Sequence, residues 1–196
     1  MYMESVCLME INSTTIRLDM EKAREIACRE NRGILGAIAD KLGHKAEGVD
    51  VLSISLFYYP FYVGGAKLTY KRVGKLPSRT AVDLAVMECG FGYVQKMRGL
   101  PEMNKKAVDS TCVVKCRYTE EESRKRIMEF MQKQGYKIYR SVPSVEFQEF
   151  FLVYKPHYAC LCKKGSKTFY KIIDAEICER DYMLDIKYKE LEFETI

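Results

Sequence analysis

The 196-residue chain has no tryptophan, two histidines and five prolines. No apolar run approaches the roughly 20 residues that a bilayer-crossing helix requires. So few histidines restrict the available chemistry. An imidazole-activated nucleophile or a histidine-rich metal centre could draw only on His44 and His157. Charge of one sign is also scarce in net terms. The 32 basic residues face 27 acidic ones and leave +5, so most of the charge is mixed and attracts an anionic partner only weakly. The opening residues, Met1 to Glu10, lack the basic start, apolar stretch and small-residue cleavage site of a secretory signal. The expectation is a cytoplasmic chain that makes no use of a membrane. Gly90-Phe91-Gly92-Tyr93-Val94-Gln95 lacks the third glycine of a dinucleotide fingerprint, and no Gly-Lys-Ser/Thr phosphate loop occurs. No cofactor is expected.

What is present suits a folded protein. Hydrophobic residues make up 47% of the chain and charged residues 30%, enough to bury a core. Eight cysteines fall mostly inside apolar alternating runs, where reduced thiols act as small hydrophobes.

An internal repeat organises the reading. Leu56-Phe57-Tyr58-Tyr59-Pro60-Phe61-Tyr62 matches Leu152-Val153-Tyr154-Lys155-Pro156-His157-Tyr158 at an offset of 96, sharing Leu, Tyr, Pro and Tyr. Upstream, Ile16 to Glu21 parallels Cys116 to Glu121, and downstream Val82-Asp83 parallels Ile173-Asp174. The pattern predicts an α+β fold built from a tandem duplicated β-α-β-β-β module, with an antiparallel sheet or sheets and helices packed on one face. The first repeat spans 1–94, a connector 95–111 and the second repeat 112–196, all within one compact unit.

In each copy a capped helix follows the first strand. Thr119-x-x-Glu122 is a capping box, Ile127, Phe130 and Met131 share a face, and Gly135 is placed to end the helix. Asp19 is the corresponding cap in the first copy, whose apolar stripe runs from Met20 to Leu42 with a break at 29–33. Pro60 and Pro156 should lie at strand ends, edges or bulges, because proline cannot donate to a ladder. Gly64-Gly65 and Lys163 to Lys167 read as hairpin turns, and the first copy carries an insertion around Lys71 to Pro77. The tail from Asp181 reads as a last strand or a partner-binding arm.

Helix, Tyr-x-Pro-x-Tyr strand, hairpin and a strand ending in Val/Ile-Asp together resemble small duplicated α+β modules of the PepSY-like or cystatin-like sort, over about residues 12–90 and 112–181. Such modules are binding or inhibitory domains. The resemblance implies binding and carries over no catalytic residue.

The candidate ligand-binding residues are Tyr58, Tyr62, Tyr154, Tyr158 and His157. Tyrosines offer flat apolar area plus a hydroxyl, although core packing would use the same rings. His157, Cys160 and Cys162, joined by Cys112 and Cys116 from a neighbouring strand, carry the residue types of a zinc site. No CxxC pair is present, and strand alternation separates His157 from Cys162, so structural thiols are favoured and no metal is assigned. The favoured function is a binding or accessory protein that uses a groove or surface between the repeats, with a protein or small molecule as ligand and a homodimer as one possible assembly. An enzyme using Cys160, Cys162, His157 or the pair Asp83 and Asp174 is one alternative. The other is a weak nucleic-acid binder using Arg124, Lys125, Lys133, Lys137 and Arg140 with Tyr136 and Tyr139. Glu120, Glu121, Glu122 and Glu129 on the same helix offset that charge and disfavour nucleic acid.

Overall fold

The computed structural model describes residues 7–28, 49–72 and 76–194. The fold is α+β, with three helices and an eight-stranded mixed sheet among these residues. In chain order the elements are β1 (Leu8–Thr14), α1 (Met20–Cys28), β2 (Asp50–Tyr70), β3 (Arg79–Glu88), β4 (Val94–Met97), β5 (Met103–Asp109), α2 (Glu120–Tyr139), β6 (Ser144–Lys164), β7 (Lys167–Asp174), β8 (Glu179–Arg180) and α3 (Tyr182–Lys187). The strand order is β4-β3-β2-β6-β1-β5, with β7 on β6 and β8 on β7. The sheet is mixed rather than purely antiparallel, because β1 meets β6 in parallel at Ser13 and Tyr154. Among the described residues no helix is long and apolar enough to cross a membrane.

The chain divides into two compact units, each assembled from separate parts of the sequence. One comprises 1–14, 59–154 and 193–196, and the other 15–58 and 155–192. Strands β2 and β6, each 21 residues long, contribute to both. Hairpin β2-β3 therefore belongs with helix α2, and helix α1 belongs with hairpin β6-β7.

In the first unit, α2 opens with the expected capping box. Thr119 Oγ1 accepts the Glu122 N–H, and the Glu122 carboxylate accepts the Thr119 N–H. Ile127 and Met131 are fully buried against Tyr62, Ala66, Leu68 and Met87. Gly135 does not end this helix. A Cβ there would sit 2.7 Å from Tyr70 Oη and 3.0 Å from the Pro143 ring, so this glycine permits close packing. The helix continues to Tyr139, and Arg140 takes the left-handed cap with φ 53°. Gly64 and Gly65 likewise do not turn the chain. They pair with Ala85 and Leu84 inside the β2-β3 ladder, where Phe147 and Ile127 leave no room for a larger residue at Gly64.

In the second unit, α1 begins where Asp19 Oδ1 accepts the Lys22 N–H at 2.8 Å. Ala23 and Ala27 are fully buried with Cys160, Cys162, Ile173 and Ala175. The remainder of the expected helical stripe, and His44, lie outside the described residues. The β6-β7 hairpin closes through Gly165-Ser166, with Gly165 at φ 57°, as the turn chemistry predicts. The stretch expected as a connector instead supplies β4 and β5. The tail forms α3, with Asp181 capping it through the Leu184 N–H, and Phe193 then bridges to Val114.

Both prolines sit one residue before a ladder begins, since β2-β3 starts at Phe61↔Glu88 and β6-β7 at His157↔Asp174. The missing N–H thus costs no bond in either of these two ladders, although both prolines lie inside 21-residue strands rather than at their ends, and the Pro60 carbonyl accepts from Cys89 and the Pro156 carbonyl from Ala175, both at 3.0 Å. Replacing Ile127 with Ala should destabilise the protein by about 2–5 kcal/mol. Val82→Ala, at a residue 71% exposed, should stay within about 0.5 kcal/mol. Urea unfolding of the two variants checks the contrast.

Candidate anion-binding pocket

The residues singled out in the sequence are placed in two groups, and all are buried. Tyr62 and Tyr154 belong to the first unit, and Tyr58, His157 and Tyr158 to the second. Burial pushes the Tyr62 and Tyr154 hydroxyls up to about 12. The Tyr158 hydroxyl donates to the Leu18 carbonyl at 3.1 Å. Tyr62 also stacks on Phe150, with centroids 5.3 Å apart. These rings serve packing.

Cys160 and Cys162 lie in the apolar core under α1, where burial pushes the Cys160 thiol up to about 12 and keeps it protonated. His157 stands apart from them, stacked on Phe57 at 5.5 Å. Among the described residues no three His, Cys, Asp or Glu side chains converge as a metal site would need. Asp83 and Asp174 are not matching partners. Asp83 pairs across the ladder with Ala66 and holds Lys96 at 2.9 Å. Asp174 instead pairs with His157, the residue after Pro156, and in the other hairpin it is Glu88 that pairs with Phe61, the residue after Pro60.

Asp174 organises a buried polar cluster. Lys155 Nζ is 2.8 Å from Oδ2, His157 Nε2 is 3.8 Å away, and Oδ1 accepts the Glu176 and Ile177 N–H groups. His157 Nδ1 lies 3.0 Å from the Lys155 carbonyl, to which its proton is donated. Burial holds the His157 imidazole below its ordinary value and neutral. Burial opposes ionisation of Asp174, but the Lys155 ammonium and the Ile177 N–H outweigh it and hold the carboxylate below its usual range.

The cleft with the clearest chemistry lies elsewhere in the first unit, at the outer end of the β2-β3 hairpin. Its volume is about 770 Å³. Tyr70 ends β2 and pairs with Arg79, which opens β3. Tyr139 ends α2, and its ring lies edge-on to Tyr70 at 4.6 Å. The Arg79 guanidinium rests over the Tyr139 ring at 4.4 Å, a cation–π contact that fixes the direction of the arginine. The left-handed turn at Arg140 carries the chain away from α2 and adds Arg140 and Ser141 to the wall. Lys71, Arg72, Leu76 and Pro77, from the insertion noted in the sequence, and the adjoining Ser78 also line it.

Four cations thus surround one cleft whose described lining contains no carboxylate. Sequence reasoning assigned Arg140 and Tyr139 to a basic helical face. It missed Tyr70 and Arg79, which reach the cleft only through strand pairing.

The buried cluster gives a pH prediction. The folded-state values of His157 and Asp174 both lie below their unfolded values, so each contributes stability at higher pH and loses it as pH falls. The His157 contribution should begin to fall away below about pH 6.5. Urea midpoints measured from pH 7.5 to 5 should decline, and His157→Phe, the residue found at the matching Phe61, should flatten that decline. An unchanged slope would remove His157 as its source.

No protein-family model, curated protein or solved structure matches this chain.

Proposed function

We propose that the chain is a non-catalytic binding protein that takes a small phosphate-bearing ligand in the cleft between the β2-β3 hairpin end and the end of α2. The observation that carries this reading is the convergence of Lys71, Arg72, Arg79 and Arg140 on a wall that also holds Tyr70 and Tyr139. Guanidinium groups meet phosphate oxygens through paired, charge-assisted hydrogen bonds. The tyrosine rings add flat area for a base or other planar group. The volume of about 770 Å³ suits a ligand of nucleotide size.

The longer hairpin end of the first unit is what supplies the basic wall. In the second unit the corresponding turn is the two-residue Gly165-Ser166. We also read the two units as diverged copies of one module, each completed by the other copy's helix. The matching turns support this reading. Glu88 accepts the Gly90 and Phe91 N–H groups and precedes a positive-φ Gly92, as Asp174 accepts those of Glu176 and Ile177 and precedes a positive-φ Cys178.

Isothermal titration calorimetry with pyrophosphate and with ATP tests the binding proposal. Saturable binding is expected, weakened at least about tenfold, or about 1.4 kcal/mol, by either Arg79→Ala or Arg140→Ala. The double variant Lys133→Ala/Lys137→Ala, which removes equal or greater charge from α2 outside the cleft, should bind normally. Equal weakening by all three variants would reduce the effect to net charge, and no binding of either probe would overturn the proposal.

A further inference from the structure

Cys89 and Cys116 are held together by the backbone of the first unit. Cys89 follows the last residue of β3, with its N–H donated to the Pro60 carbonyl at 3.0 Å, and its own carbonyl accepts the Arg117 N–H at 3.2 Å. That second bond draws in the residue before Arg117, which is Cys116. The Cys116 thiol donates to the Tyr118 carbonyl at 3.1 Å, and the two cysteine sulfurs lie within hydrogen-bonding reach of each other. Cys89 is fully buried and Cys116 half-buried, so a reagent from solvent meets Cys116 first.

The second unit contains the same joint without the thiols. There the Ala175 carbonyl accepts the Arg17 N–H at 2.8 Å, and the flanking residues are Ile16 and Ala175, both in the apolar core. Since Ile and Ala close that joint, packing alone does not require two cysteines at the other. Cys160 and Cys162 form no such pair. They are two residues apart on one strand, both buried, and the Cys162 thiol donates to the Cys160 carbonyl at 3.4 Å.

We propose that Cys89 and Cys116 form a thiol–disulfide exchange pair whose co-substrate is a low-molecular-weight disulfide. The Cys116 thiolate attacks one sulfur of that disulfide, breaking its S–S bond, and the departing thiolate takes up a proton. Cys89 then gives up its proton and attacks the Cys116 sulfur, expelling the second small thiol. Two protein thiols are oxidised to one disulfide, and the small disulfide is reduced to two thiols. The order of events follows exposure, since the half-buried Cys116 meets the reagent first and the fully buried Cys89 resolves the mixed disulfide. The new bond ties the segment entering α2 to the end of β3.

The test uses the full chain with the exposed Cys7, Cys28 and Cys178 changed to Ser, treated with oxidised glutathione under native conditions. Intact mass and a non-reduced peptide map should report the loss of two hydrogens and a Cys89–Cys116 linked peptide. Adding Cys89→Ala should trap one glutathione on Cys116, and adding Cys116→Ser should abolish both products. Cys89→Ala with Cys116→Ile, the apolar pair of the other unit, checks that the joint folds without thiols. A folded parent that forms no such link, forms it only after denaturation, or takes up glutathione at Cys112 instead overturns the proposal.

Discussion

Each unit depends on the carbonyl that follows its buried carboxylate. Ala175 and Cys89 stand just past the ends of β7 and β3, and each offers that carbonyl to the backbone that leads into a helix, at Arg17 and Arg117. The side chain before it, Asp174 or Glu88, accepts the N–H groups of the turn that follows. Helix entry and strand end are therefore fixed by one short run of bonds. Leaving such buried groups unpaired costs about 1–3 kcal/mol apiece, far more than an exposed ion pair such as Lys105–Glu10 returns.

With those joints set, residues not needed for packing can diversify. The buried carboxylate of the second unit is met by Lys155, which also pairs with Glu176, and lies beside His157. In the first unit Glu88 is instead met by the Tyr59 hydroxyl, whose ionisation is suppressed by burial and by the nearby carboxylate. The long hairpin end of the first unit gathers arginine and tyrosine where the second has a tight turn. Charge that looks diffuse along the chain becomes concentrated there.

Much of the local structure was legible in the sequence. Thr119 and Glu122 announced the start of α2, Asp19 that of α1, and Gly165-Ser166 the second hairpin, because caps and tight turns are decided within a few residues. Gly64, Gly65 and Gly135 misled the reading for a related reason. Glycine serves both a turn and a close contact, and only the neighbour distinguishes them. At Gly64 the neighbours are Phe147 and Ile127, and at Gly135 they are Tyr70 and Pro143, all distant in sequence or on another element.

The sequence by itself determined the α+β class, the caps and the repeated Tyr-x-Pro-x-Tyr pattern, since these follow from backbone chemistry and short-range periodicity. Only the tertiary structure decided that helix and hairpin from opposite ends of the chain share a unit, that Glu88 and Asp174 each pair with the residue after a proline, and that Tyr70, Arg79, Tyr139 and Arg140 meet around one cleft. Those outcomes rest on strand register and on contacts between residues far apart in the chain, and periodicity along one segment carries no record of which other segment it will pair with.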